Sequence, residues 1–280
     1  MGPMLSDWSE IKGRVSNRLA RHLSATPLRL SGKDPMVSFT FDDVPESAAS
    51  VGAPMLEEYG ARGTFYVAGG LVNQWSGHWN GADVDDIIGL HHKGHEIACH
   101  TFSHRRATDL DASAMAEEIE LNRRYLERLD SSIRLENFAY PYGQASLLRK
   151  GQLAEVFRSS RGIIPGVNSG SIDLHFLRAT PMVNDHIDED GIDRVFDEAI
   201  ETGGWLIFYG HDVVAKPSPY GCTPNLLRHA LKAATRRRLP MASIAEALRR
   251  AEAYPLDGTT VACGAKVEHR RPGQASVSER

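Results

Sequence analysis

The chain has few cysteines, no large excess of charge of either sign and no long apolar run. Each of these features argues against one class of protein. Only three of the 280 residues are cysteines, Cys99, Cys222 and Cys263, and none forms a C-x-x-C pair, so a disulfide framework is not expected. Lys and Arg number 32 against 36 Asp and Glu, a net charge of −4, which gives no electrostatic basis for nucleic-acid binding. No transmembrane segment is predicted.

The N-terminal 21 residues are charged and amphipathic rather than apolar. They lack the apolar core of a signal peptide, so we expect a cytoplasmic protein that acts on a soluble or lipid-linked precursor or another small amide. An amphipathic helix is predicted over about residues 6–23, either capping the floor of the following domain or joining a partner. Its apolar residues recur every three or four positions: Leu5, Trp8, Ile11, Val15 and Leu19.

Apolar patterning predicts alternating strands and helices from residue 36 to residue 252. The predicted strands are 36–41, 63–68, 96–99, 137–140, 162–164, 176–180 and 205–209. The predicted helices between and after them are 47–59, 84–92, 111–129, 147–158, 192–201, 223–237 and 243–252. This alternation predicts an α/β fold, a distorted (β/α) barrel of seven or eight parallel strands with an N-terminal amphipathic helix. The predicted boundaries are a helical extension over 1–34, the barrel over 35–255 and a partly disordered extension over 256–280.

Two histidines four residues apart, His100 and His104, follow a predicted strand, and the adjacent Asp42 and Asp43 end an earlier one. Imidazoles at i and i+4 converge if the backbone between them makes one helical turn. Two neutral imidazoles and one carboxylate can hold a divalent ion with positions left open for water, and a second aspartate can act as base. We therefore predict metal-assisted hydrolysis, with zinc first and cobalt, nickel or manganese as alternatives. The competing interpretations are a surface histidine pair and a helix N-terminus with two acids.

Four segments, in this order, resemble the motifs of a known family. They are Ser-Phe-Thr-Phe-Asp-Asp at 38–43, His-Glu-Ile-Ala-Cys-His-Thr-Phe-Ser-His at 95–104, Tyr-Pro-Tyr-Gly at 140–143 and Leu-Ile-Phe-Tyr-Gly-His-Asp at 206–212. Together they are similar to the motifs of the polysaccharide deacetylases, the NodB-homology or family 4 carbohydrate esterase enzymes. The resemblance spans roughly residues 35–250, and its first two segments are the more specific.

The resemblance implies that Asp43, His100 and His104 bind the metal, Asp42 is the general base, His211 the general acid and the Tyr142 backbone N–H a donor to the oxyanion. The implied activity is metal-dependent removal of an acyl group, first of all acetyl, from an N-acylated amino sugar or polysaccharide precursor. Two alternatives stay open: a hydrolase of linear or cyclic amides on the same fold, and a catalytically degenerate carbohydrate-binding relative. A homo-oligomer is also left open.

Three positions depart from the family pattern. Val44 stands where the family usually has glycine, so the loop after the two aspartates is expected to differ. Ala139 falls in the stretch where the family commonly has an arginine that tunes the base. Asp173 is only a loose candidate for the family's acidic fourth motif.

We predict that Arg178, near the end of the predicted strand 176–180, supplies the missing cation beside Asp42 by extending its guanidinium into the barrel mouth. Arg105 and Arg106 are alternatives, and a solvent-facing arginine is the other interpretation of Arg178. Between the second predicted strand and the next helix lie three rings, Trp75, His78 and Trp79. They either stack on a sugar or pack their loop against the barrel.

Overall fold

The computed structural model describes residues 13–253. Its strands are β1 (Pro27–Arg29), β2 (Met36–Asp42), β3 (Thr64–Val67), β4 (Glu96–Cys99), β5 (Asn137–Ala139), β6 (Ser159–Arg161), β7 (Ser171–Asp173), β8 (Thr180–Pro181) and β9 (Trp205–Gly210). Seven of them run parallel in one sheet, in the order β6-β5-β4-β3-β2-β9-β8. The short β1 and β7 pair antiparallel outside this sheet. The sheet curls into a barrel that is incomplete between β6 and β8. The predicted distorted α/β barrel is confirmed, with seven strands.

Helices connect the strands and cover the outside of the barrel. They are α1 (residues 13–20), α2 (Ala53–Glu58), α3 (Val84–His92), α4 (Ala112–Leu129), α5 (Leu147–Ala154), α6 (Glu189–Thr202), α7 (Pro224–Arg236) and α8 (Ile244–Ala253). Three of them begin at an aspartate N-cap, Asp83, Asp111 or Asp188, whose side chain accepts a first-turn backbone N–H. Within the described chain, none of these helices has the length and apolar character that crossing a membrane requires.

Strand β2 separates the outer core from the barrel interior. Val37, Phe39 and Phe41 pack in the large cluster between sheet and helices. Because side chains alternate across a strand, the intervening Thr40 and Asp42 face the interior, where Asp42 pairs in register with Tyr66 of β3. All residues of β2 are buried. The carboxyl end of this strand therefore places an acidic group inside the barrel mouth.

The structure differs from the predicted elements at two places that bear on the site. Helix α5 ends at Ala154, and the next strand lies at Ser159–Arg161 rather than at 162–164. Helix α1 does not cover the barrel floor. Ser16 and Asn17 instead accept the backbone N–H groups of Leu147 and Ala145, just after β5, on the side of the strand carboxyl ends. Residues 6–12 of the predicted helix and the extension over 256–280 lie outside the described residues.

Candidate metal and catalytic site

The loops after β2 and β4 bring the predicted metal ligands together at the barrel mouth. His104 Nε2 lies 3.2 Å from Asp43 Oδ1, and His100 Nε2 lies 3.7 Å from the same oxygen. One ligand atom from each of the three residues falls within 4.8 Å of the others. Among the described residues they form the only group of three or more His, Cys, Asp or Glu side chains with this spacing.

The protonation states of these residues suit a cation. His100 Nδ1 lies 2.8 Å from the Ala139 carbonyl, which can only accept, so Nδ1 carries the proton and Nε2 keeps its lone pair. Burial lowers the pKa of His100 to about 3 and that of His104 to about 4, which keeps both rings neutral. Burial also raises the pKa of Asp43 to about 6, and its buried Oδ1 has no hydrogen-bond partner. A divalent ion would stabilise the buried Asp43 carboxylate and give its Oδ1 a partner. The two neutral imidazoles and the carboxylate are therefore a donor set that fits such an ion.

The backbone around the site is left-handed at several residues that are not glycine. Thr101 has φ 61° and His104 has φ 53°, so the two histidines do not converge through a helical turn, as predicted, but through a loop with two left-handed residues. Val44 has φ 45° and is buried. This is a costly conformation for a β-branched residue. The loop thus keeps the backbone that glycine would favour although the residue is valine.

Glu118 of α4 holds the histidine loop and was not recognised in the sequence. Its Oε2 accepts the backbone N–H groups of Phe102 at 3.0 Å and Ser103 at 2.7 Å. The carboxylate is 6% exposed. One buried anion therefore fixes the peptide groups between the two left-handed residues. The spacing of apolar residues in α4 placed a glutamate on its buried face, which was the available signal.

Arg161 occupies the position beside Asp42. Its Nη2 donates to Asp42 Oδ1, and the side chain is fully buried. The guanidinium lies 4.9 Å from the ring centre of Tyr66 and 5.3 Å from that of Tyr209. Burial has the largest single effect on the pKa of Asp42 and would raise it, but the charge of Arg161, the neighbouring His100 and His211 and the hydrogen bond from Arg161 together hold the pKa below its ordinary value.

Arg161 lies next to Ala139 in the sheet, since the two residues pair in register between β5 and β6. The cation beside Asp42 thus comes from the strand adjacent to the one where the family resemblance led us to expect it. The small side chains of Ala139 and Ala98, both in the interior cluster with Tyr66, leave the barrel interior open for the long arginine.

The prediction that Arg178 lies beside Asp42 is wrong. Its exposed guanidinium donates instead to the Pro165 carbonyl, from Nε at 3.1 Å and from Nη2 at 2.7 Å. The cation that donates to Asp42 is Arg161, whereas the Arg106 guanidinium lies 4.8 Å from the ring centre of Tyr142. Asp173 forms an ion pair with the buried Lys150 and takes no part in the site.

His211 follows β9 and lies beside Asp43 at the barrel mouth. Its Nε2 lies 4.0 Å from Asp43 Oδ2, and its Nδ1 lies 3.2 Å from the Tyr220 carbonyl. The rings of Trp79 and Tyr220 lie 5.1 and 5.8 Å from the imidazole. His78 also contacts both rings, so the 74–80 loop packs on this cluster, while Trp75 is 66% exposed.

Tyr142 lies beside the ligands with an exposed ring. Its ring centre is 4.5 Å from that of His104, and its backbone is left-handed with φ 57°. Glycine is needed at the next position, Gly143, where φ is 63° and a Cβ would collide with Ile163. The loop after β5 thus turns sharply at the edge of the site.

Known proteins that resemble this chain are described as deacetylases or esterases. The family model described as polysaccharide deacetylase matches residues 29–154. The chain is related to the polysaccharide deacetylases. The match ends before Arg161 and His211 and so does not include these two residues.

Individual relatives of the deacetylase family are distant. A bifunctional xylanase/deacetylase from Pseudobutyrivibrio xylanivorans is 33% identical over 86 residues, which are 30% of this chain and 13% of that protein's length. The chitin deacetylase of Colletotrichum lindemuthianum superposes with a TM-score of 0.56 at 16% identity, over 78% of this chain and 89% of that one. A family 4 acetyl xylan esterase from Clostridium thermocellum, solved with cobalt, gives 0.52 at 20% identity, over 79% and 93%. These two structures show the shared fold.

Proposed function

We propose that the chain is a metal-dependent carbohydrate deacetylase that removes an acetyl group from an N-acylated amino sugar or its polymer. The observation that carries the proposal is the cluster of Asp43, His100 and His104 beside the ion-paired Asp42. The family match supports the reaction class. The cobalt in the acetyl xylan esterase structure supports a divalent ion, and its identity here stays a prediction, with zinc first.

Asp43, His100 and His104 would hold the ion, which when bound polarises a carbonyl and lowers the pKa of a water molecule. Asp42 accepts the proton of the attacking water. Arg161 keeps that carboxylate ionised and fixes its direction.

Two further groups act on the tetrahedral intermediate. The backbone N–H of Tyr142 donates to the oxyanion. His211 protonates the departing nitrogen from the opposite side of the mouth. The amine of an amide must be protonated as it leaves, whereas the phenolate of an activated ester leaves without a proton. A histidine that donates a proton therefore speeds the hydrolysis of amides more than that of activated esters.

The test is acetate release from N-acetylglucosamine oligomers by the purified protein with Zn²⁺, Co²⁺, Ni²⁺ or Mn²⁺ added in turn. We expect activity with at least one ion. His104→Ala should lose both metal and activity while staying folded. Asp42→Asn should keep the metal and lose about 10²- to 10⁴-fold in kcat, because an amide cannot accept the proton.

The proposal is wrong if the metal-loaded protein releases no acetate from any acetamido sugar. Hydrolysis of small linear or cyclic amides in the same assay would establish the alternative substrate class. Undiminished metal in His104→Ala, measured by elemental analysis, would contradict the ligand assignment.

A further inference from the structure

The loop that follows His211 closes on itself through Asp212. Ser218 donates from Oγ to Asp212 Oδ1 at 2.6 Å and from its backbone N–H to Oδ2 at 2.8 Å. Cys222 N–H donates to the Asp212 carbonyl at 2.9 Å. Asp212 is 4% exposed, so its carboxylate makes these bonds away from bulk water, where they are strong. We call Asp212 and Ser218, with the chain between them, the clasp.

The clasp determines where the carbonyl of Tyr220 lies. Ser218 Oγ also accepts the backbone N–H of Tyr220 at 3.2 Å, and Ser218 O accepts that of Gly221 at 3.2 Å. The Tyr220 carbonyl then lies 3.2 Å from His211 Nδ1. Since a carbonyl only accepts, this contact places the proton on Nδ1.

Gly221 shows how tightly the loop is built. A Cβ at this position would collide with both the carboxylate and the carbonyl of Asp212. No other residue can occupy this position without opening the loop. On the other side, Val213 N–H donates to Ser47 Oγ at 3.1 Å, which ties the start of the loop to the segment after β2.

We propose that the clasp is a positioning device for His211: it keeps the Nδ1 proton on the Tyr220 carbonyl and directs Nε2, which carries the transferable proton of the imidazolium, into the site. Asp212 and Ser218 do not touch the reacting atoms and act only through His211. The proposal rests on the proposed function, in which His211 protonates the leaving group. Loosening the clasp should therefore slow reactions whose leaving group needs a proton and spare those whose leaving group does not.

The test uses Ser218→Ala on two probes, N-acetylglucosamine oligomers and 4-nitrophenyl acetate, whose phenolate leaves without protonation. General acids contribute about 10²- to 10⁴-fold, so we expect a loss of about tenfold to a hundredfold in kcat/KM on the oligomers and under about twofold on the ester. In a His211→Ala background Ser218→Ala should cause no further loss. Ser218→Thr, which keeps the hydroxyl, should retain most of the activity.

Ser132→Ala is the matched control. Ser132 bonds to Asp130 through the same two groups, Oγ at 2.6 Å and N–H at 2.8 Å, in the turn after α4. This variant should behave as the wild type on both probes. A general effect of removing a serine–aspartate turn would appear in both variants.

Equal losses on both probes, or a loss that persists in the His211→Ala background, would overturn the clasp while leaving the deacetylase proposal intact. A wild type inactive on acetamido sugars would instead overturn both. If Ser218→Ala does not fold, ¹⁵N NMR of the wild-type imidazoles decides the matter: a proton on His211 Nδ1, in the neutral ring or in the imidazolium, supports the clasp, and a neutral ring protonated only on Nε2 refutes it.

Discussion

Replacing Glu118 by alanine is the sharpest test of how the proposed metal ligands are held. The carboxylate accepts the N–H groups of Phe102 and Ser103 from a buried position on α4. These peptides join two residues in the left-handed region, Thr101 and His104. Without Glu118 the loop loses the anion that compensates its strained backbone, so it should relax.

The expected magnitude follows from the two donors. Each partly buried N–H left without a partner costs about 1–3 kcal/mol, and water entering the vacated space keeps the total near the lower end, about 2–3 kcal/mol. Relaxation at His104 would also lengthen its 3.2 Å approach to Asp43. Loss of a residue that orients a ligand typically weakens metal binding about 10- to 100-fold. We expect Glu118→Ala to show both effects, and Glu118→Gln, which still accepts, about half the loss of stability.

Zinc affinity by chelator competition and the free energy of unfolding in urea would be measured for both variants. Glu120→Ala is the control, because Glu120 lies on the same helix and makes only exposed ion pairs with Arg123 and Arg124, which contribute about 0.5 kcal/mol or less. A Glu118→Ala protein that loses stability but binds zinc within about twofold of the wild type would refute the reasoning. Removing a residue that orients a metal ligand weakens metal binding by more than that.

Three further outcomes are expected. Val44→Gly should be about 1 kcal/mol more stable than Val44→Ala, the reverse of the usual order, because glycine relieves the φ of 45°; urea unfolding of both variants checks this. Burial lowers the pKa of His175 to about 4, so below pH 6.5 the unfolded chain gains this proton first; His175 should therefore contribute about 3 kcal/mol to the loss of stability between pH 6.5 and 4, and the loss measured by urea unfolding should be smaller by that amount in His175→Gln. Lys150→Met should cost about 3–5 kcal/mol by thermal unfolding, since it leaves the carboxylate of Asp173 without its buried partner.

The alternation of apolar and polar residues was enough to predict most strands. It was also enough to predict that the candidate site residues lie at the carboxyl ends of those strands. In β2 the period of two places Asp42 inside the barrel, and the next residue, Asp43, necessarily follows at the strand's carboxyl end. Helix α3, at Val84–His92, was predicted to the residue, and an N-cap aspartate, Asp83, and a glycine, Gly94, mark its two ends. Such signals are local, so the sequence contains them in full.

His100 and His104 do lie close together, as their spacing predicted, but the backbone between them is not the predicted helical turn. The spacing of His100 and His104 predicted convergence by a helical turn, whereas the structure uses left-handed residues and the bonds from Glu118. Glu118 is distant in sequence, and only the packing of α4 against the strand ends brings it there.

The partner of Asp42 was decided by tertiary structure alone. Arg161 is 119 positions after Asp42 in the sequence. It falls in a stretch that was predicted to lie between a helix and a strand. Its guanidinium reaches Asp42 because the sheet curls enough to bring β6 across from β2, with Ala98 and Ala139 leaving the interior open between them. Sequence periodicity states which face of a strand is buried. It does not state which strands oppose one another, because that depends on how the whole sheet closes.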